Sequence, residues 1–358
     1  MTLQRAPGSL PCLLAASLFA WPVAAAPEAG GSLVIRFQSP AIKGVCAWPN
    51  LTLLPDGSVV ALIFNRPSHG GMAGDVECWG SEDEGRTWVR RGVVAAGPDE
   101  DSNRMNVAAG LATNGDLLAV VSGWSGISEG FDKILQAVVC RSADGGRTWH
   151  QTSELDPVPE PGLRFGGLTV PFGDILPGAD GRLRLSHYCG ASYTTFVSTS
   201  PDDGRTWQSP VKLGENTNET ALLHLGEGRW LAAARTNSPA DIHLYASEDD
   251  TATWADRGPV TEASQHPGHL LRLGDGRILL TYGNRVATEL GTQAMLSADE
   301  GETWSPPLRL ARVTSGDSGY PASIQLPDGA MLTAYYARSA EDCDEYHMGV
   351  VVWDLPAR

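Results

Sequence analysis

Five residues of this 358-residue chain combine types that serve polar chemistry with a shared setting at the ends of apolar runs. Arg66 ends LIFNR, Arg235 ends WLAAAR and Arg285 follows LLTYGN, while Glu219 stands in TNETALLHL and Tyr320 opens YPASIQLPDG. Three arginines converging from separate segments hold an anion through fork-like hydrogen bonds. A tyrosine and a glutamate can meet across the same pocket. Trp48, Arg104 and His266 occupy comparable positions, and the intervening strands are apolar.

The elements that must position them repeat along the chain. Six segments read as an apolar strand, a tight turn and a second apolar strand: LTLLPDGSVVAL, AGLATNGDLLAV, DILPGADGRLRL, ALLHLGEGRWLA, HLLRLGDGRILL and SIQLPDGAMLTA. Their turn glycines are Gly57, Gly115, Gly181, Gly228, Gly276 and Gly329, spaced 47 to 66 residues apart. Asp-Gly or Asn-Gly between apolar runs is a strong hairpin signal, because the turn needs positive φ. The turns define one face of the molecule. The residues about eight to ten positions either side of each turn glycine then share the opposite face, and the polar group above falls in that frame.

After each of the first five hairpins comes another β-like run and then an octet: SEDEGRTW, SADGGRTW, SPDDGRTW, SEDDTATW and SADEGETW. One more strand follows each octet. Four strands repeated six times predict an all-β fold, a six-bladed β-propeller of four-stranded antiparallel blades. The sixth repeat lacks an octet, and SLVIRFQ at 32–38 is expected to supply its outer strand beside MGVVVWDL, closing the ring. In the octets Ser and Asp fix a tight turn, Gly supplies a left-handed position, and Trp packs between neighbouring blades. Thr251 replaces that Gly in the fourth copy, which predicts a strained or reshaped turn. The octets lack the alternating acidic ligands and terminal Glu of a calcium loop.

Bulk properties narrow the function. A net charge of −16 excludes a broad nucleic-acid footprint. Residues 1–25 read as a signal peptide, with Arg5, the apolar CLLAASLFAW and a small-residue cleavage site at 23–25. Residues 26–358 are expected to form a single domain, exported to the periplasm or the extracellular space. No apolar run is long enough for a membrane span. No cysteine spacing suits zinc, and neither cofactor nor metal is expected. Cys46 and Cys343 fall on the same face of neighbouring blades, which makes them candidates for a disulfide.

The octet S-x-D-x-G-x-T-W resembles the Asp-box of the sialidase (neuraminidase) superfamily, the BNR-repeat proteins with a six-bladed propeller. The resemblance covers nearly all of the mature chain. It implies an exo-acting glycosidase that releases a terminal acidic sugar, sialic acid or a relative, from a glycan, and a monomer. By the same resemblance Tyr320 matches the nucleophilic Tyr and Glu219 its partner. Arg235 and Arg285 match two carboxylate-binding arginines, and Arg66 resembles a further arginine of the first blade. Where the family reads F/Y-R-I-P this chain reads CAWP, with Ala47 in place of the first arginine; Arg104 is a candidate replacement. In the loop PSHGGMAGD, Asp75 and His69 are the candidates for the family's acid/base. Two alternatives stand beside this reading. One is a lyase acting on uronate glycans, with His266 or His187 taking the C5 proton; the other is a propeller that binds glycans without catalysis.

Overall fold

The computed structural model describes residues 33–357 except 132 and 191, so the leader assigned to residues 1–25 lies outside the described residues. The described chain is all-β, with two short 3₁₀ turns and no α-helix. Strand β1 (Val34–Lys43) comes first. A first unit follows of β2 (Asn50–Leu53), β3 (Val59–Phe64), β4 (Val76–Ser81) and β5 (Val89–Ala95). A second holds β6 (Ser102–Leu111), β7 (Leu117–Ser125), β8 (Lys133–Ser142) and β9 (His150–Glu154), and a third β10 (Val170–Pro177), β11 (Leu183–Cys189), β12 (Thr194–Ser200) and β13 (Gln208–Glu215). The fourth comprises β14 (Thr217–Gly226), β15 (Arg229–Thr236), β16 (Ile242–Ser247) and β17 (Ala255–Pro259). The fifth comprises β18 (Gln265–Arg272), β19 (Ile278–Asn284), β20 (Gly291–Ser297) and β21 (Leu308–Arg312). The last contains β22 (Ser318–Gln325), β23 (Met331–Ala337) and β24 (His347–Asp354), and β1 pairs antiparallel with β24 to complete it.

Within every unit the strands follow one another as an antiparallel meander. Four sheets have four strands, and a fifth has eight because β10 also pairs in parallel with β6. The turn glycines of all six hairpins have positive φ, as their Asp-Gly, Asn-Gly and Glu-Gly sequences require.

The middle strands are buried on both faces, so they show no alternation of apolar and polar residues. In β3 the side chains of Val59, Ala61 and Ile63 pack with Ala322, Ile324 and Leu332 of the last unit. Val60 and Leu62 of the same strand turn the other way, onto Val107 and Ala109 of the second. The same division recurs between units two and three, three and four, four and five, and five and six. The first strands adjoin in the same cyclic order, β2 to β6, β10, β14, β18, β22 and back to β2. Burying two faces of a Val/Leu/Ile strand stabilises by ~25 cal/mol per Å² of apolar area removed from water.

The octets join the third and fourth strands of their units. In the first, Ser81 Oγ accepts from Gly85 N at 2.8 Å, and Asp83 accepts from the Thr87 amide at 2.8 Å and its hydroxyl at 2.7 Å. Trp88 Nε1 closes the turn on Gly85 O at 2.9 Å. The carboxylate is thus consumed by its own turn. The octet glycine also lets neighbouring units approach: a methyl at Gly146 would stand 2.3 Å from Sγ of the buried Cys78. Thr251 holds the same left-handed conformation, φ 74°, and donates its amide to Ser247 Oγ, while Asp249 accepts from the Thr253 amide as in the other octets. The expected strain is therefore local, and the turn is not reshaped.

Two stability predictions follow from these contacts. Gly146→Ala combines φ 87° with a clash against the first unit; urea unfolding is expected to show a loss of about 2–4 kcal/mol. His187 is fully buried between Thr169 Oγ1 at 2.9 Å and Ser198 Oγ at 2.8 Å, and burial pushes it down to about 3 from an ordinary 6.5. Below pH 6.5 the unfolded chain therefore binds a proton that the folded chain refuses. The stability from neutral His187 is complete above that pH and is lost as pH falls towards 3. His187→Gln should flatten the decline in stability between pH 6.5 and 4.5, a difference on the order of 2 kcal/mol in the wild type. An unchanged slope would show that His187 protonates without cost.

Candidate active site

The first strands of the last three units share a defect at the end away from their hairpin turns. Register shifts fall between Thr217 and Thr220 in β14, between Gln265 and Gly268 in β18, and between Gly319 and Ala322 in β22. Bulges of this kind re-aim a side chain that strict alternation would send between sheets. Glu219, His266 and Tyr320 occupy those three positions. Tyr320 has φ 50° and Trp48 φ 40°, left-handed values that are costly for aromatic residues.

These side chains meet at one end of the molecule. Tyr320 Oη donates a very short hydrogen bond to Glu219 Oε1. The other carboxylate oxygen takes Arg235 Nη1 at 2.6 Å, and the same nitrogen lies 3.5 Å from the phenol oxygen. Burial and the charge of Glu219 hold the Tyr320 phenol well above its usual range, against the opposing pull of Arg235 and Arg285. The phenol is therefore protonated at rest, with its acceptor already in place. The Cζ of Arg285 sits 5.6 Å from the centre of the Tyr320 ring, a cation–π distance. Arg285 donates to Ser318 O at 3.1 Å and to His266 Nδ1 at 2.6 Å. A guanidinium only donates, so His266 is neutral there. Burial, then the charges of Arg285 and Arg235, push it down to about 2. Nε of Arg235 is buried with no hydrogen-bond partner, which is costly unless a ligand supplies one.

Tyr320 and Glu219 open on a cavity of about 330 Å³ walled by Trp48, Trp124, Phe131, Phe172 and Tyr188. Its floor holds Asn50 and His269. Asp174 joins them, accepting from Asn50 Nδ2 at 3.2 Å and from His269 Nε2 at 3.0 Å.

The structure does not bring every expected residue here. Arg66 is exposed and donates to Ala73 O of its own loop at 2.9 Å. Arg104 is buried and donates to Gln136 O at 2.7 Å and Val121 O at 3.3 Å, inside its own sheet. It does not stand in for the arginine missing at Ala47. The Asp75 carboxylate caps Gly97 N at 2.9 Å and does not line the cavity. His69 does line it. Cys46 and Cys343 are separate thiols, and Cys343 Sγ donates to Glu345 O at 3.7 Å, so the expected disulfide is absent.

One residue escaped the sequence frame. Asp317 Oδ1 lies 3.0 Å from His69 Nδ1 and accepts Tyr336 Oη at 2.6 Å, while Oδ2 accepts a very short bond from Tyr346 Oη. Burial alone would raise this carboxyl, but the His69, Tyr336 and Tyr346 hydrogen bonds outweigh it and hold Asp317 far below the usual carboxylate range. It stands twelve residues before Gly329, just outside the interval searched; an acidic residue three before a candidate Tyr was the available signal.

Among the described residues no helix is long and apolar enough to cross a membrane, and no group of His, Cys, Asp and Glu could hold a metal. A search of curated proteins found no match. Among solved structures, a protein of unknown function from Dyadobacter fermentans aligns over 90% of this chain and 98% of its own, at 21% identity and TM-score 0.73. A Hadza microbial sialidase aligns over 86% of this chain and 65% of its own, at 18% identity and TM-score 0.68. The NanB sialidase of Streptococcus pneumoniae aligns over 91% and 71%, at 12% identity and TM-score 0.67. The chain thus spans about two thirds of these sialidases, and the likeness is one of fold. The BNR repeat-like domain model matches residues 57–333, from the first hairpin turn into the last, and with it the repeated hairpins and octets place this chain in the BNR repeat-like family.

Proposed function

We propose that this chain is an exo-acting glycoside hydrolase of the sialidase type. Its six four-stranded units would be the blades of one propeller spanning the exported chain, and it would release a terminal acidic sugar, sialic acid or a relative. The observation that carries the reading is the Tyr320–Glu219–Arg235 cluster opening on an aromatic cavity. In the first step Tyr320 Oη attacks the anomeric carbon while its proton passes to Glu219, and the bond to the leaving oxygen breaks. A phenol that is neutral at rest suits a substrate whose carboxylate adjoins the reacting carbon, because a carboxylate nucleophile would be repelled. Arg235 and Arg285 flank the phenol and receive that carboxylate, and the unpartnered Nε of Arg235 supports an anionic ligand. With Ala47 and the outlying Arg66 and Arg104, the grip rests on two arginines.

A lyase is less well supported. His187 is enclosed by Thr169 and Ser198, and His266 faces Arg285. Neither can take a proton from C5.

Tyr320→Phe is expected to lower turnover of 4-methylumbelliferyl α-sialoside by about 10³-fold or more. Calorimetric binding of free N-acetylneuraminic acid should stay within a few-fold of wild type. Glu219→Gln, which removes the proton acceptor, should cost about 10²–10⁴-fold. Normal turnover by Tyr320→Phe would sink the nucleophile assignment. Binding by wild type without any product would leave a glycan-binding propeller.

A further inference from the structure

The glycosidase reading needs a group that protonates the leaving oxygen and later activates water, and the loop carboxylate Asp75 is turned away towards Gly97. We propose that His69 and Asp317 form the proton-transfer pair of this site, with His69 as the acid/base and Asp317 as its positioning residue. The inference rests on the glycosidase reading and deepens it.

An ionised carboxylate only accepts hydrogen bonds, so the proton between Asp317 and His69 is on Nδ1. That assigns the tautomer and leaves Nε2 as the exchanging atom. No hydrogen bond among the described residues uses Nε2. The ring lines the same cavity as Tyr320, with its side chain 54% exposed. Trp48 holds the imidazole edge-on, centroids 4.9 Å apart, and Trp48 also lies 6.1 Å from the Tyr320 ring. The acid/base and the nucleophile are thus set around one indole.

Asp317 is itself fixed from two elements. Tyr336 comes from β23 and Tyr346 from the segment before β24, and each phenol donates to a different oxygen. The titratable groups facing His69 and Asp317 are these two phenols and the Cys46 thiol, with Tyr320 beyond Trp48. Arg66, on the same loop as His69, is spent on Ala73 O. The cluster has no other evident use, since a half-buried carboxylate with three donors is more than one exposed loop needs to be held.

The chemistry balances. The imidazolium gives its Nε2 proton to the glycosidic oxygen as the bond between that oxygen and the anomeric carbon breaks, its electron pair going to the oxygen. Tyr320 Oη forms the new bond to carbon, and its own proton goes to Glu219. In the second step neutral Nε2 takes a proton from water, whose oxygen attacks the same carbon. The bond to Tyr320 breaks, and the phenolate recovers its proton from Glu219.

Two readouts test the pair. The first compares a good and a poor leaving group, 4-methylumbelliferyl α-sialoside and methyl α-sialoside. His69→Gln and Asp317→Asn should each lower kcat/KM for the methyl ketoside by about 10²-fold or more while sparing kcat/KM for the aryl ketoside within about tenfold, because that ratio reports the step in which the leaving oxygen is protonated. Equal losses on both substrates would overturn the inference. The second is the ¹⁵N shift pattern of His69, which needs no substrate. In wild type it should show protonated Nδ1, and Asp317→Asn should lose that signature. A neutral wild-type ring carrying its proton on Nε2 and none on Nδ1 would also overturn it. Should Asp317→Asn fail to fold, His69→Gln and the wild-type tautomer still decide. A wild type inactive on both ketosides overturns the glycosidase reading and the proton-transfer role with it. An active wild type whose preference between them survives both variants overturns this pair alone.

Discussion

Apolar burial on both faces of every middle strand is the constraint on which the rest depends. A sheet with Val60 and Leu62 on one side and Val59, Ala61 and Ile63 on the other cannot present either face to water. Each unit must therefore have a neighbour on both sides, and with twisted sheets of similar size the arrangement that leaves no unit exposed is a closed cycle. The octets serve that closure. Their glycines admit the neighbouring sheet, the third-position aspartates are bound inside their own turns, and Asp203, Asp250 and Glu300 bind groups outside theirs, so the five acidic motifs add nothing to the cavity.

Closure creates the site as a by-product. The first strands converge, and in three of them a register break releases a polar side chain towards the centre. Glu219, His266 and Tyr320 arise in this way from three different units. Each charge brought into this low-dielectric region has an offsetting partner: Glu219 with Arg235, Asp317 with three donors, Arg285 with a neutral histidine and a carbonyl. Local arginines thereby reverse the field of a chain whose net charge is −16. The positive φ of Trp48 and Tyr320 shows that the surrounding sheets hold these rings in conformations they would not choose.

Much of the strand order was legible in the chain because it is encoded locally. Asp-Gly turns, octets and short apolar runs each act over a dozen residues, and β1 beside β24 followed from counting which unit lacked a strand. The Tyr320–Glu219–Arg235–Arg285 group was also readable from its distance to the turn glycines. Side-chain direction was not. Arg104 sits at the right distance, but it turns into its own sheet, and Arg66 folds back on its loop. Asp75 was chosen as a carboxylate in the right loop, whereas backbone geometry gave it the Gly97 amide to cap. Asp317 lies outside that frame because it precedes β22, twelve residues before Gly329. Cys46 and Cys343 share an end of the molecule, yet Cys343 is held in a turn of its own by Ala340.

The pairing of β1 with β24 joins Val34 to Asp354, residues separated by almost the whole chain. Closing a loop of that length costs roughly 5 kcal/mol of chain entropy before any contact repays it. The intervening meanders are local by comparison and can form in order as the chain emerges. The clasp is accordingly a late event, waiting for β24 to return to β1. Two bulges and a proline in β1 roughen its outer edge, and so discourage the same strand from pairing with another molecule while it waits.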